Sequence, residues 1–141
     1  MRYLFCVFLI LLSCFLAAAT VVPGGYVSGI WNVEDSPYLI SGNITISDGE
    51  SLTLHPGVEL QFLGYYTLKI EGKLQAIGTP SDSIKFSTTS SEQKWRGILM
   101  QNVAATNDST ILRYCAFNRG DAKLDILNKN GGIIRVLNSS K

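Results

Sequence analysis

Charge is the first thing this chain has little of. Only 16% of its 141 residues are Asp, Glu, Lys or Arg, against roughly 25% in an average soluble protein. Twelve Lys and Arg offset eleven Asp and Glu, leaving a net charge of +1. No overall field draws in nucleic acid, an anionic bilayer or an acidic polymer, so no nucleic-acid partner is expected. Histidine occurs once, at position 55, which excludes metal-dependent hydrolysis built on His ligands. A Gly-rich phosphate loop, a Cys-x-x-Cys pair and a nucleophile elbow are all missing. From Tyr26 onward no segment sustains an amphipathic helical period over three turns, so long helices are excluded as well. Ser, Thr and Asn (31 together), Gly (13) and Ile with Val (21) stand in place of charge. That is the composition of many short strands joined by turns.

The N-terminus reads as a leader. Arg2 is the only early charge; Tyr3 to Ala19 is apolar apart from Ser13 and ends in Ala17-Ala18-Ala19 ahead of Thr20. A basic start, an apolar middle and small residues at the end form a secretory signal peptide over 1–19. A permanent membrane helix would need about 20 apolar residues, and Pro23-Gly24-Gly25 follows at once, so the mature chain is expected to hold no stable span. Leu11-Leu12-Ser13-Cys14 offers an alternative, a lipid anchor on Cys14, although Phe15-Leu16-Ala17 stands where a polar tether is usual. Cleavage after Ala19 removes Cys6 and Cys14, which leaves Cys115 alone and no internal disulfide. An exported domain of that kind must be held by its core. Cys115 lies in an apolar run with no histidine near it in sequence, and reads as a small buried residue rather than a nucleophile.

Short alternating runs then recur between turn signals: Ile44 to Ile46, Leu52 to Leu54, Val58 to Phe62, Leu68 to Ile70, Leu74 to Ile77, Ile84 to Phe86, Ile98 to Met100, Ile111 to Phe117, Leu124 to Leu127 and Ile133 to Leu137. Each is far too short for a helix, so the fold class is all-β. Equivalent runs return at a loose period: Ile44 as Leu68, Leu52 as Leu74, Val58 as Ile84, Ile84 as Ile111, Ile111 as Ile133. Spacings of 22 to 27 residues are those of a solenoid whose coils stack like residues on like. A β-sandwich is the alternative, since Asp48-Gly49 and Asn130-Gly131 are also favoured hairpin turns.

Ser36 to Ile46, Gly49 to Phe62, Leu68 to Thr79, Ile84 to Ser87, Trp95 to Ile98 and Tyr114 to Phe117 together resemble secreted bacterial right-handed parallel β-helix proteins of the pectin-lyase-like fold. The likeness runs from about Val27 to Leu137. It implies a solenoid of three to four coils over 43–141 behind a linker and cap over 20–42, the cap itself at Tyr26 to Ile40. That fold hosts carbohydrate lyases and hydrolases as well as surface proteins without known chemistry. Asn130 to Leu137 looks like the opening of another coil, so the expectation is a chain truncated at its C-terminus, with an uncapped last coil open to end-to-end self-association.

Candidate site residues are few. Tyr65 and Tyr66 follow Gly64, and Trp95 precedes Arg96-Gly97, so these rings sit at coil corners where they could stack on sugar faces; the alternative is packing, as for Trp31. In Asp121-Ala122-Lys123-Leu124-Asp125 strand alternation puts Asp121 and Asp125 on one face, a weak site for Ca²⁺ or a sugar against the plainer reading of a solvated charged face. Asp48, Asp82 and Asp108 read as turn residues. Asn43, Asn107 and Asn138 begin Asn-x-Ser/Thr sequences, glycan acceptors only in a host with that machinery. No catalytic residue and no cofactor is expected. The function expected is a non-enzymatic exported module for adhesion, glycan contact or spacing, at the cell surface or secreted. The alternative is the N-terminal fragment of a β-helix polysaccharide lyase or glycoside hydrolase whose catalytic coils are missing.

Overall fold

A computed structural model describes residues 18–121 and 132–139. The described residues wind through fourteen short strands: β1 Thr20–Val22, β2 Gly25–Tyr26, β3 Gly29–Trp31, β4 Tyr38–Ile40, β5 Ile44–Ile46, β6 Ser51–Leu54, β7 Glu59–Phe62, β8 Thr67–Ile70, β9 Lys73–Ile77, β10 Ile84–Thr88, β11 Gly97–Gln101, β12 Ile111–Arg113, β13 Cys115–Phe117 and β14 Ile134–Leu137. Every third strand joins the same sheet. The sheets run β1-β4-β7-β10-β13, β2-β5-β8-β11-β14 and β3-β6-β9-β12, and every pairing between the strands is parallel. The fold is a right-handed parallel β-helix, with four three-strand coils and two strands of a fifth. A sandwich of antiparallel hairpins is thereby ruled out for the described residues.

Alternation explains the coil. In β5, β6 and β7 the residues Ile44, Ile46, Leu52, Leu54, Leu60 and Phe62 are buried while their neighbours face outward. Parallel register then stacks like on like, Ile44 on Leu68 on Ile98 and Leu52 on Leu74. Removing such a side chain from water is worth about 1.5–3 kcal/mol each, and the three sheets share one core. Residues 20–42, expected as linker and cap, supply the first coil and the opening strand of the second. Trp31 stacks on Tyr38 there, centroids 4.3 Å apart and 9° from parallel. The Tyr38 hydroxyl is held by Asn32, accepting from its N–H at 3.0 Å and donating to its carbonyl at 3.2 Å.

Two spacings read from the sequence need correction. Ile84 pairs with Cys115 rather than returning as Ile111, which pairs with Gln75. Ile134 pairs with Ile98, so Ile111 does not return as Ile133. The cause is a corner inside an apparently continuous run. Tyr114 adopts φ +50°, ending β12 in one sheet and starting β13 in the next. The run Leu124 to Leu127 lies outside the described residues, as do residues 1–17 of the segment 1–19 expected as a leader.

Candidate binding clefts

Tight turns join the strands of the second and third coils; longer loops, 89–96 and 102–110, leave the fourth. Loops carried on a rigid stack are where ligand contacts concentrate. Each of these loops leans on the coil beneath it and shapes one open cleft.

The first cleft, of about 310 Å³, is lined by Tyr65, Glu92, Gln93 and Lys94. Tyr65 is 43% exposed, yet its hydroxyl donates to the Asp121 carbonyl oxygen at 2.6 Å. Lys94 Nζ meets the Asp121 carboxylate at 2.7 Å. Two residues flagged in the sequence, Tyr65 and Asp121, are thus brought together although they are 56 positions apart. Tyr66 is not part of the cleft: its ring packs against the core and lies over Gly64, whose Cβ would meet it at 2.6 Å.

Trp95 is likewise not at the surface. It is 0% exposed, which overturns a sugar-stacking role and leaves the packing alternative. Its ring lies on Phe62, with centroids at 4.3 Å, and on Phe86 at 6.0 Å. Its indole N–H donates to the Asn118 carbonyl at 2.9 Å. The reason is local: Thr88 is the register partner of Phe62, but its hydroxyl donates to the Ser90 carbonyl at 2.9 Å. A threonine cannot cover a phenyl ring, and Trp95 covers it instead.

The second cleft, of about 490 Å³, was not legible in the sequence. Glu50, Ser51, Lys73, Thr106, Asn107 and Asp108 line it. Lys73 Nζ pairs with Asp108 at 3.0 Å, and the Asn107 amide donates to Asp48 Oδ1 at 2.7 Å and to the Glu71 carbonyl at 3.0 Å. Asp48 and Asp108, expected as turn residues, therefore tie the 102–110 loop to the coils below. Asp82 does sit in a turn, its N–H donating to Thr79 Oγ1 at 3.0 Å. Both clefts offer fixed hydroxyl, amide and charged groups suited to a polyol.

Other candidates are placed as follows. Cys115 is half-buried, its thiol donating to the Ala76 carbonyl at 3.4 Å. Burial pushes that thiol above its ordinary value, against a smaller opposing effect of the Arg113 carbonyl, so it is a protonated packing group at neutral pH. Asp125 lies outside the described residues, so the Asp121 and Asp125 face is not formed within them. Among the described residues no three His, Cys, Asp or Glu side chains are placed to share a metal ion. No helix among them is long and apolar enough to cross a membrane.

The fold and clefts define a parallel β-helix with open, polar outer surfaces. Comparison with known proteins adds one relative: over 63 residues, 45% of this chain, it is 39% identical to Protein bark beetle of Drosophila melanogaster. The chain spans only about 2% of that protein's length. No family and no solved structure matches.

Proposed function

We propose that the chain is a non-enzymatic exported β-helix module of the cell surface or extracellular space, a rigid spacer that contacts glycans through the Tyr65 cleft. The observation that carries this reading is the Tyr65 ring, half-exposed and anchored at its hydroxyl end to Asp121, two coils further along the stack. A ring fixed in this way offers a flat apolar face without the entropy cost of ordering it on binding. Glu92, Gln93 and Lys94 beside it supply donors and acceptors for sugar hydroxyls. The bacterial pectin-lyase-like likeness supports the same class of ligand. A glycan array probed with the chain purified after export tests the reading. Binding that falls at least about tenfold in Tyr65→Ala, roughly 1.4 kcal/mol, is the expected result. Equal binding by the variant, or none by the parent, rejects it.

The second cleft favours a second reading, a piece of a polysaccharide lyase or glycoside hydrolase, because Lys73, Glu50 and Asp108 line one outer surface. Cleavage of any polysaccharide by the parent, lost in Asp108→Asn, would select it.

A further inference from the structure

Three Asn-x-Ser/Thr sequences begin at Asn43, Asn107 and Asn138, and the fold treats their asparagines differently. A glycan on such a residue is a bulky, hydrated group joined to the side-chain nitrogen. The transfer acts on the extended chain, so the fold decides only whether the modified nitrogen has somewhere to go. Nδ2 then needs open solvent and no hydrogen bond that the sugar would end. Oδ1 is unchanged by the modification and can stay in use.

Asn43 meets both conditions. It is exposed, at the corner between β4 and β5. Ile44 and Ile46 point into the core, so alternation turns Thr45 outward, with Asn43 exposed two positions before it. Asn43 Oδ1 accepts the Thr67 N–H of the next coil at 2.9 Å. That bond fixes the side-chain amide and leaves its Nδ2 without a protein partner among the described residues. The strand neighbours of Thr45 are Tyr26 and Lys69, and the surface there is open, Tyr26 being 83% exposed.

Asn107 meets neither condition. It is half-buried, and its Nδ2 donates to Asp48 Oδ1 at 2.7 Å and to the Glu71 carbonyl at 3.0 Å. A sugar on that nitrogen replaces one of the two hydrogens and has to fit inside the second cleft, which Asn107 lines. The 102–110 loop then loses a tie to the turns beneath it. Asn138 is exposed, but Ser140, which completes its sequence, lies outside the described residues, so no role is assigned to it.

We propose that Asn43 is an N-glycan acceptor in a eukaryotic secretory route and that Asn107 stays unmodified in the folded product. In the transfer, Asn43 Nδ2 attacks the anomeric carbon of a lipid-pyrophosphate-linked oligosaccharide. The N–C bond forms while the C–O bond to the pyrophosphate breaks. The lipid pyrophosphate leaves with that electron pair, and the nitrogen gives up one proton. The proposal rests on the export reading, since the donor is met only in that route.

The test uses the full chain carrying Asn138→Gln, expressed in insect cells and recovered from the medium. Peptide N-glycosidase in heavy-oxygen water converts a glycosylated Asn to a labelled Asp, and peptide mass spectrometry reads the position. Label at 43 and unlabelled Asn at 107 is the expected result. Asn43→Gln should abolish the glycosidase-sensitive gel shift. Thr45→Val should abolish it too, with the β-type circular dichroism melt retained, because it removes the required hydroxyl and keeps both the β-branched shape and Asn43. This variant decides the matter if Asn43→Gln fails to fold. An unlabelled Asn43 in the recovered chain overturns the proposal, as does label at Asn107 or a shift that survives both variants. A chain kept inside the cell with residues 1–19 intact rejects the export reading instead. The same residues from Thr20 are then placed behind a cleavable leader, and an unlabelled Asn43 in that secreted chain overturns the acceptor assignment.

Discussion

The second and third coils and the coils above them obey the same pairing rules with different loops. Between the lower coils the register advances by 22 residues in two sheets, Tyr38 to Leu60 and Leu52 to Leu74, and by 24 in the third, Ile44 to Leu68. Higher up the advance is 30 from Leu68 to Ile98 and 36 both from Gln75 to Ile111 and from Ile98 to Ile134. The ladders do not register the change, since a longer surface loop adds little closure entropy. The difference teaches where variation is allowed: inward rows are fixed by stacking, while the corners accept insertions. Both candidate clefts are built against those insertions, at 92–94 and 106–108.

The largest break in this comparison is expected from Trp95→Ala. Trp95 lies between Phe62 of the third coil and Phe86 of the fourth, and Phe86 in turn stacks on Phe117 of the fifth, centroids 4.9 Å apart. Loss of a buried tryptophan costs about 3–5 kcal/mol, read from denaturant midpoints at constant slope. Since solenoid coils are stabilised by their neighbours, hydrogen exchange should accelerate in β10, β11 and β13 and stay slow in β5, β6 and β8. Uniform acceleration would show that the two halves are one cooperative unit. A smaller effect, about 1–3 kcal/mol, is expected from Gly72→Ala in the tight half. There a Cβ would run into the Ser47 and Glu50 carbonyl oxygens of the turn below. Gly49→Ala is its control: φ is +75° but nothing lies within 4 Å of the added carbon, so its cost is conformational alone, about 1 kcal/mol. Equal losses in the two variants would contradict close stacking of the turns.

The same contrast sets what could be read from residues alone. Ile44, Leu52 and Val58 announce their partners because turns of two to six residues separate short alternating strands, and strand period and coil period stay in phase. Ile111 to Phe117 misleads because nothing in an apolar run marks Tyr114 as a corner; tyrosine has no preference for the left-handed region it occupies. Tyr65 was legible as a corner residue beside Gly64. Its partner Asp121 was not, because the contact is made by the segment that leaves β13, 56 positions further along the chain. Trp95 was misplaced for a related reason: the polar row position whose place it takes over Phe62, Thr88, lies seven residues earlier on a different segment. The second cleft depends on Lys73 meeting Asp108 and Asp48 meeting Asn107, pairs drawn from separate coils. Short polar segments carry no local signal of such a meeting.

The subtlest separation of the two halves is by alkaline titration, because each holds one weak acid shifted by burial. Burial raises the Tyr38 hydroxyl in the second coil above its ordinary value, outweighing the Asn32 hydrogen bond, and Asp35 and Glu34 add to the rise. In the last coil burial likewise raises the Cys115 thiol. For each group the unfolded chain loses its proton first, so above the unfolded value the unfolded state binds fewer protons and stability falls with pH. The contribution is complete below the ordinary thiol and phenol values and is lost as pH rises through the folded ones. Melting temperature should therefore be flat up to about pH 8, fall first through Cys115, and fall again through Tyr38, whose ordinary value is about 1.5 units higher. Cys115→Ala should abolish the earlier decline and leave the later one. Hydrogen exchange should assign the first decline to β10 and β13 and the second to β4. If Cys115→Ala left the profile unchanged, the thiol would be as solvated in the folded chain as in the unfolded one, and the last coil would be looser than its pairing to β10 implies.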